Sequence, residues 1–411
     1  MASNVDRNEL TTVAFAQATV LAQCSPVSTE PVALEHALGR YLAGPLLASL
    51  DLPPFTNSAM DGFAVRAADT PGRLRIIGEA AAGVPFGRPV GKGEAVEIST
   101  GGALPDGADA VAVIEKVTVT TGPGGAAEVW LQSPVKPGEN IRRAGDDTVR
   151  GSVVLSAGTR LGAAQIGAAA ALGVSTLQCT RRPTVAVLTT GTELREPGEQ
   201  LKPGQIYNSN AALLRALAVG AGAQVIVIPS ARDTFEQHRR ALTQALEHDV
   251  AISTGGVSVG GHDLVREVLA QLGVRELFWR VKIKPGKPLS FGVTPDGKPP
   301  KLVFGVPGNP VSTLVGFEMF IRPAIAALQG AREPGPHFTR VQLAEAVRAD
   351  PARDQLIRVS VQSDGRIKAL AGQQSHQLAS SAGADGLAWI PAGADGLAAG
   401  ATVRYLPLAR C

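Results

Sequence analysis

The sequence predicts a multi-domain protein of the α/β plus β class. A mostly parallel α/β sandwich domain is expected beside an inserted β-rich domain, a small helical domain and a C-terminal β domain. Strand-like and helix-like segments alternate over residues 181–330, while short strand-like runs between Gly and Pro clusters fill residues 50–149 and return after residue 331. At 411 residues, the chain is long enough for about two to four domains.

The α/β region has the most regular pattern in the sequence. Apolar strand-like runs occupy residues 184–188, 224–228, 249–253 and 302–306. Segments with apolar residues at helical spacing occupy residues 210–218, 234–246, 263–272 and 311–328. This alternation predicts βαβ units and a mostly parallel sheet.

The start of the chain is predicted to be helical. Two helices are expected there, the second with Ser28 or Thr29 as its cap and Pro31 in its first turn. Residues 161–172 are predicted to form a further helix. The β-rich module therefore interrupts a helical domain that is built from both of its flanks.

These patterns divide the chain into four predicted domains. They are a helical domain (residues 1–49 and 150–180), an inserted β-rich domain (50–149), an α/β domain (181–330) and a C-terminal β domain (331–411).

Composition and charge argue against several classes of function. Charged residues make up 18% of the chain and hydrophobic residues 45%, with a formal net charge of +3, as in an ordered globular protein. Aromatic residues make up only 4%, so few rings are present to stack on bases and no nucleic-acid partner is expected. The most apolar stretch, residues 161–179, is mostly Ala and Gly, so no membrane span is expected.

The cysteines indicate a reducing compartment. Cys24, Cys179 and Cys411 are far apart and odd in number, which predicts neither a disulfide framework nor a CxxC metal site. The N-terminal segment has no apolar signal-peptide core. We therefore expect a cytoplasmic protein.

Three loops that follow predicted strands are candidates for binding an anionic ligand. In an open parallel sheet, ligands bind beyond the carboxyl ends of the strands. Glycine lets the backbone approach phosphate oxygens there, and Thr, Ser and Asn add donors. One such loop is more often an ordinary turn, but three on one edge predict a site. The loops are TTGTEL (189–194), STGGVSVGGHD (253–263) and VPGNPVS (306–312).

A fourth segment, IKPGKP (283–288), carries Lys284 and Lys287 on a chain stiffened by two prolines. Lysines held in this way suit a compact tetrahedral dianion, although a solvent-facing basic turn remains the alternative. Carboxylates also lie in such loops, and oxygen ligands favour magnesium. For any single carboxylate, a turn or a helix cap is the commoner role.

Eight strings in this order resemble the molybdopterin molybdenumtransferase family over almost the whole chain. They are PPFTNSAMDGFAVR (53–66), TGGALP (100–105), IRRAGDD (141–147), TTGTEL, IYNSN (206–210), STGGVSVGGHD, IKPGKP and VPGNPVS. The resemblance implies a homodimer of four-domain subunits with an active site between them. It implies an enzyme that inserts molybdate into the dithiolene of adenylylated molybdopterin, releases AMP and molybdenum cofactor, and uses Mg²⁺.

The resemblance also implies roles for individual residues. The expected catalytic residues are Asp61, Thr100, Glu193, Asp233 and Asp263, of which Glu193 and Asp263 would bind the metal. The expected molybdate contacts are Lys284, Lys287, Pro288, Ser312, Arg358 and Ser380. Further substrate contacts are expected from Arg142, Asp146, Thr190, Gly191, Asn208, Gly255, Gly256, Ser258, Pro307 and Asn309.

Two positions depart from the family pattern. Thr192 stands where an acidic residue is common, and Arg280 stands where lysine is often found. Arg280 keeps the charge but changes the geometry of the donors.

Two other functions stay open at this point. A molybdopterin adenylyltransferase would resemble the α/β domain alone, and a scaffold of the gephyrin type would bind partners without turnover. The partners that the resemblance suggests beyond the substrates are molybdopterin adenylyltransferase and apo-molybdoenzymes.

Overall fold

Three six-stranded sheets organise the described part of the chain, one in each of the inserted, α/β and C-terminal regions. The structure is a computed structural model that describes residues 10–231, 234–255, 264–295, 299–393 and 395–408.

The first part of the chain runs to residue 183. Its α-helices are α1 (Val13–Ala22) and α2 (Ala163–Ala171). Its strands are β1 (Thr29–Ala33), β2 (Leu46–Leu47), β3 (Asn57–Ser58), β4 (Gly62–Val65), β5 (Gly72–Ala80), β6 (Glu94–Ile98), β7 (Ala110–Val113), β8 (Val117–Thr121), β9 (Ala127–Leu131), β10 (Ile141–Arg142), β11 (Val153–Leu155) and β12 (Thr176–Thr180).

The inserted domain is a β sheet with the strand order β7-β4-β6-β5-β9-β8. Its strands are antiparallel apart from the parallel pair β5 and β6. Alternate residues fill two small cores, so that Phe63 and Val65 belong to one and Ala64 to the other. Because successive strand residues point to opposite faces, each face of β4 packs into a core of its own.

The prediction of a second N-terminal helix is wrong. Residues 29–33 form β1, which pairs antiparallel with β12 and places Pro31 opposite Gln178. The pair is a two-stranded sheet, and an edge strand tolerates proline because its N–H is not needed on the open side. Pairing with a distant segment therefore overrides the local capping signal.

The first predicted helix is found as α1, but it packs outside the region assigned to the helical domain. Val13, Ala16 and Val20 join the core of the α/β domain, where α1 lies against the helix of residues 310–328. The later helix, α2, is found within the predicted residues 161–172.

The α/β domain contains the following elements in chain order: β13 (Thr184–Thr190), β14 (Leu194–Arg195), β15 (Ile206–Tyr207), α3 (Ser209–Gly220), β16 (Gln224–Ala231), α4 (Phe235–Ala245), β17 (Val250–Thr254), α5 (Leu264–Gln271), β18 (Arg275–Trp279), β19 (Ile283–Lys284), β20 (Ser290–Val293), β21 (Leu302–Val306), α6 (Pro310–Gly316) and α7 (Arg322–Leu328). A π-helical turn, Phe317–Ile321, joins α6 to α7.

The α/β sheet has the order β16-β13-β17-β21-β20-β18. Its first four strands are parallel and are the four that the sequence predicts, while β20 and β18 add an antiparallel edge. Val187 and Ile252 pack into one core, and Leu188 and Ala251 into a second core. Burial on both faces explains why β13, β17 and β21 are nearly continuous apolar runs.

The C-terminal domain is a β sheet formed by β22 (Thr339–Gln342), β23 (Asp354–Val361), β24 (Ile367–Ala369), β25 (Gly386–Ile390) and β26 (Thr402–Pro407). Strand β19 of the preceding region joins this sheet by parallel pairing with β23, and Lys284 lies opposite Gln355. The lysine-containing segment is therefore held by the C-terminal domain.

Among the described residues, one helical stretch has the length and apolar composition of a membrane span. It is Pro310–Leu328, with 19 residues, and 83% of its most apolar window is buried within the fold. Such burial is also the pattern of a core helix, and Phe317, Phe320 and Ile325 lie in the α/β core.

Candidate active site

Three predicted loops leave the α/β sheet side by side, because β17 lies between β13 and β21. The Thr190 hydroxyl donates to the Thr254 carbonyl at 3.4 Å, and the Thr254 hydroxyl donates to the Pro307 carbonyl at 3.2 Å. The structure thereby brings together Thr190, Gly255 and Pro307 at the carboxyl edge of the parallel strands, where ligands bind in such sheets.

Two glycines allow a close approach in these loops. Gly255 has a φ of +89°, and a Cβ placed there would lie 2.7 Å from the Thr190 hydroxyl oxygen. Gly191 has a φ of +143°, and a Cβ would lie 2.6 Å from both carboxylate oxygens of Glu193. The positive φ favours glycine at both positions. At Gly255 a Cβ would also lie 2.8 Å from the Thr190 carbonyl oxygen, so this glycine is required for the spacing of the two loops.

Asn208 fixes the N-terminus of α3 to β13. It is buried, its carbonyl oxygen caps the Ala211 N–H at 3.2 Å, and its amide donates to the Thr189 hydroxyl at 2.9 Å and the Glu196 carboxylate at 3.0 Å. The side chain is thus engaged in holding the helix. Its contact with a substrate stays a prediction.

Asn210, two residues later, was not predicted as a site residue. Its amide donates to the Thr254 hydroxyl at 3.0 Å and to the Gly308 carbonyl at 2.7 Å. It therefore joins the start of α3 to the loops after β17 and β21. The IYNSN string contains both asparagines. The sequence alone does not show that Asn208 caps the helix and that Asn210 joins the two loops.

The IKPGKP segment lies against the start of α6. A Cβ on Gly286 would be 3.7 Å from the Ser312 carbonyl oxygen, and Ser312 itself is buried. Lys287 is exposed and Pro288 is half-buried. Within the described ranges, no ion pair to Lys287 is found, which leaves its ammonium available to an anion.

Lys284 is held by an acidic residue of the C-terminal region. Its ammonium lies 3.1 Å from a carboxylate oxygen of Asp350, which also pairs with Arg353 at 3.2 Å. The backbone N–H of Ala352, together with these cations, lowers the pKa of Asp350 to about 2. Asp350 could not be predicted as a partner of Lys284, because the two residues are far apart along the chain.

Arg280, the departure from the family pattern, stacks on its neighbour Trp279. Its guanidinium carbon lies 3.8 Å from the ring centroid, and that of Arg266 lies 4.1 Å from the same ring. The backbone φ of Arg280 is +68°. These contacts orient the chain just before β19.

The VPGNPVS loop also contacts the C-terminal domain. The Asn309 amide donates to the Ser375 hydroxyl at 3.0 Å, and the Val311 N–H donates to the Ser375 carbonyl at 3.0 Å. Ser375 is a contact that sequence reasoning missed.

Arg358 organises the segment that contains Ser375. It is only 1% exposed, and burial lowers its pKa. Its guanidinium donates to the Ser380 hydroxyl at 3.1 Å, the Ser381 hydroxyl at 2.9 Å, the Gln377 carbonyl at 2.6 Å and the carbonyls of Gly372 and Gln374. The predicted pair Arg358 and Ser380 is therefore brought together, while molybdate contact by either residue stays a prediction.

The inserted domain joins two more predicted residues. The Asp61 carboxylate accepts hydrogen bonds from the Thr100 N–H at 2.6 Å and the Thr100 hydroxyl at 2.9 Å. These two bonds lower the pKa of Asp61. An ionised carboxylate is thus fixed on an exposed loop.

Arg142 and Asp146 both lie in the IRRAGDD string of the inserted domain. Arg142 pairs with Asn57 across β10 and β3, and the Asp146 carboxylate accepts the Arg143 N–H at 2.6 Å. Their contacts with substrate stay predictions.

Four predicted site residues lie outside the described residues: Asp233, Gly256, Ser258 and Asp263. Of the expected metal ligands, only Glu193 is described. The described residues contain no group of three or more His, Cys, Asp or Glu side chains that suits a metal ion.

Comparison with known proteins gives matches along almost the whole chain. The profile of the MoeA N-terminal region (domain I and II) matches residues 11–173, that of the probable molybdopterin binding domain matches 186–327, and that of the MoeA C-terminal region (domain IV) matches 340–408. Molybdopterin molybdenumtransferase 2 of Mycobacterium tuberculosis is 35% identical over 408 residues, which covers 95% of this chain and 97% of that protein.

The chain belongs to the molybdopterin molybdenumtransferase family.

Other members of the family agree in sequence and fold. The molybdopterin molybdenumtransferase of Haemophilus influenzae is 37% identical over 321 residues, covering 77% of each chain. A crystal structure of the molybdopterin biosynthesis MoeA protein from Pyrococcus horikoshii superposes with a TM-score of 0.84 at 29% identity, covering 97% of this chain and 100% of that one. The resemblance therefore extends over all three matched regions. A protein that resembled only the α/β domain would match one of them.

Proposed function

We propose that this member of the molybdopterin molybdenumtransferase family takes adenylylated molybdopterin and molybdate as substrates. The two dithiolene sulfurs replace two oxygens of molybdate, which leave as water with protons from the thiols and the solvent. Water cleaves the bond between the two phosphates, so that AMP and molybdenum cofactor leave. The substrates are anionic, so the site must hold like charges close together.

One observation carries this proposal: the glycine-rich loops and the lysine segment meet at one edge of the α/β domain. Asn210 joins Thr254 to Gly308, and Gly286 lies beside Ser312. Glycine-rich loops suit the pyrophosphate because their backbone can approach phosphate oxygens closely. The ammonium of Lys287, which has no ion-pair partner among the described residues, suits a compact oxyanion.

The chemistry that these residues support is positioning and charge neutralisation. Holding two reactants in a fixed geometry removes much of the entropic barrier. Donors that are already oriented stabilise developing charge without reorganisation. The proposed reaction requires no covalent enzyme intermediate, so the fixed spacing of the loops is the main contribution of the protein.

We propose Mg²⁺ as the cofactor, with Glu193 among its ligands. The Glu193 side chain is exposed and folds over Gly191, and no partner for its carboxylate is found among the described residues. One such free carboxylate fits the ion, which commonly uses one or two carboxylates with phosphates and waters. Bound there, Mg²⁺ would neutralise charge on the pyrophosphate; Asp263 is the second proposed ligand.

We also propose how the subunits assemble and where in the cell the protein acts. We propose a homodimer in which the inserted domain of one copy reaches the α/β loops of the other, with the Asp61 and Thr100 pair facing the substrate. We place the protein in the cytoplasm, where molybdopterin adenylyltransferase would supply its substrate and apo-molybdoenzymes would receive its product. The free Cys24 and Cys179 suit a reducing compartment.

The test is an assay of the purified protein with adenylylated molybdopterin and Mg²⁺, with and without molybdate. We expect molybdate to trigger AMP release and the product to reconstitute an apo-molybdoenzyme. Formation of adenylylated molybdopterin from ATP and molybdopterin would instead favour an adenylyltransferase. Partner binding with no molybdate-dependent turnover would favour a scaffold.

A further inference from the structure

Helix α3 is held at each end by a side-chain amide. At its N-terminal end, Asn210 donates to the Thr254 hydroxyl and the Gly308 carbonyl. At its C-terminal end, Gln329 donates to the carbonyls of Ala221 and Ile325, at 2.9 Å and 3.2 Å. The helix has 12 residues, which separates the two ends by about 18 Å.

The two amides differ in what they join. Gln329 ties α3 to α7, which are both packed helices of the α/β core. Asn210 ties α3 to two loops at the carboxyl edge of the sheet. The Thr254 hydroxyl already donates to Pro307, so Asn210 adds a second link between the same two loops.

The orientation of the Asn210 amide is fixed by its partners. The Gly308 carbonyl can only accept, and the Thr254 hydroxyl hydrogen is directed to the Pro307 carbonyl. Both partners therefore require the NH₂ group, which leaves the Asn210 side-chain oxygen on the other side. That oxygen is buried and has no donor among the described residues.

A buried acceptor without a donor is unfavourable, and native proteins contain few of them. An apolar residue of similar size would avoid this cost, so fold stability alone does not account for asparagine here. The groups that the amide does bind lie in the two loops that frame the candidate site. The position is therefore better explained by the spacing of those loops.

We propose that Asn210 is a positioning residue that sets the distance between the Thr254–Gly255 turn and the Pro307–Gly308 turn. Through this distance it determines how tightly the pterin nucleotide is held. The inference rests on the proposed function, because it assigns these turns to the binding of adenylylated molybdopterin. Asn210 acts through the two turns and is given no direct part in the reaction.

The test compares Asn210→Leu with the matched variant Gln329→Leu in the full-length protein. Each substitution removes two donated hydrogen bonds: both Asn210 bonds leave the start of α3, whereas Gln329 gives one to Ala221 at the end of α3 and one to Ile325 within α7. For Asn210→Leu we expect KM for adenylylated molybdopterin to rise about tenfold, with KM for molybdate unchanged. The melting temperature without substrate should change little, since the bond to Gly308 lies at the surface and water can replace it.

Gln329→Leu should behave in the opposite way. Its bond to Ile325 is buried, so the melting temperature should fall while both KM values stay near those of the wild type. A third variant, Asn210→Asp, places a carboxylate oxygen against the Gly308 carbonyl. We expect its KM for adenylylated molybdopterin to exceed that of Asn210→Leu, because two acceptors then face each other.

The outcomes separate this inference from the proposed function. If the wild-type protein showed no molybdate-dependent AMP release, both the proposed function and this inference would be wrong. An active wild type with an unchanged KM in Asn210→Leu would overturn the positioning role alone. Equal losses of melting temperature in the Asn210→Leu and Gln329→Leu variants, with no change in KM, would show a purely structural amide.

Discussion

Asp249 is a buried carboxylate that joins the start of the α/β sheet to the preceding domain. It accepts two hydrogen bonds from the Arg181 guanidinium, at 2.7 and 2.9 Å, and two from Thr184, at 2.8 and 3.0 Å. Burial raises its pKa, but these bonds outweigh the burial and hold the pKa at about 2, below the ordinary 3.8.

The depressed pKa gives a pH-dependent prediction for Asp249→Asn. A carboxyl group with a lower pKa in the folded state stabilises that state above its unfolded pKa, and the contribution is lost as pH falls through the folded pKa. At pH ~7 the variant should lose about 2 kcal/mol of free energy of unfolding. The difference should shrink between pH ~4 and ~2, as measured by urea unfolding.

The control for this prediction is Asp364→Asn. Asp364 forms an exposed ion pair with Arg366, and such surface pairs contribute little. Its unfolding midpoint should match that of the wild type at both ends of the pH range. A loss in Asp249→Asn that persisted unchanged at the acid end would contradict the assignment to the ionised carboxylate.

The Asp61 and Thr100 pair gives a prediction about ionisation. Thr100→Val removes the hydroxyl donor but keeps the backbone N–H, so the pKa of Asp61 should rise yet remain below its ordinary value. Carboxyl NMR titration would measure the change. The control is Thr118→Val on the exposed β8, which should leave this pKa unaltered. An unaltered pKa in Thr100→Val would show that the hydroxyl contributes nothing.

At the level of elements, the sequence predicted strands best where tertiary structure and local pattern agree. Strands β13, β17 and β21 are buried on both faces, and their apolar runs are visible without a partner. Strand β1 was mistaken for a helix because Ser28, Thr29 and Pro31 satisfy the rules for a helix start. Its identity depends on β12, which lies more than a hundred residues further along the chain.

Arg358 shows how one buried side chain organises an element. Its guanidinium donates hydrogen bonds to the segment 372–381. Ser375 of this segment accepts a hydrogen bond from the Asn309 amide. Arg358→Leu would leave these acceptors unpaired, so we expect a loss of about 2 to 4 kcal/mol of stability in the C-terminal domain. Hydrogen exchange of the β23 and β25 amides would report it.

A matched control is Arg366→Ala, which removes an exposed arginine from the same domain. Hydrogen exchange in β23 and β25 should then stay at the wild-type rate. If Arg358→Leu also left exchange unchanged, the guanidinium would not be holding the segment, and its donors would be free for a ligand.

On the scale of the whole molecule, the sequence identified the site loops but not what holds them in place. Conspicuous glycines, prolines and lysines mark the loops at residues 189–194, 283–288 and 306–312. Their supports are ordinary residues such as Asp350 and Ser375, which become important only when the C-terminal domain packs beside the α/β domain. No local pattern distinguishes such a residue from any other surface Asp or Ser.

The proposed intersubunit site makes a prediction that only the assembled molecule can test. Chains carrying Asp61→Ala lose a residue of the inserted domain, and chains carrying Lys287→Ala lose a residue of the α/β loops. Each variant alone should be inactive in molybdate-dependent AMP release. If a site combines the inserted domain of one copy with the loops of the other, a mixed dimer contains one site with both defects and one intact site.

Random reassociation of equal amounts makes about half of the dimers mixed, each with one of two sites intact, so about a quarter of wild-type activity should return. Sites contained within single chains would recover nothing, because each chain then carries its own defect into its own site. Mixing Asp61→Ala with the double variant Asp61→Ala, Lys287→Ala is the control, since no pairing of these chains restores an intact site. Recovery with the single variants and none with the control would therefore assign Asp61 and Lys287 to one site built by two subunits.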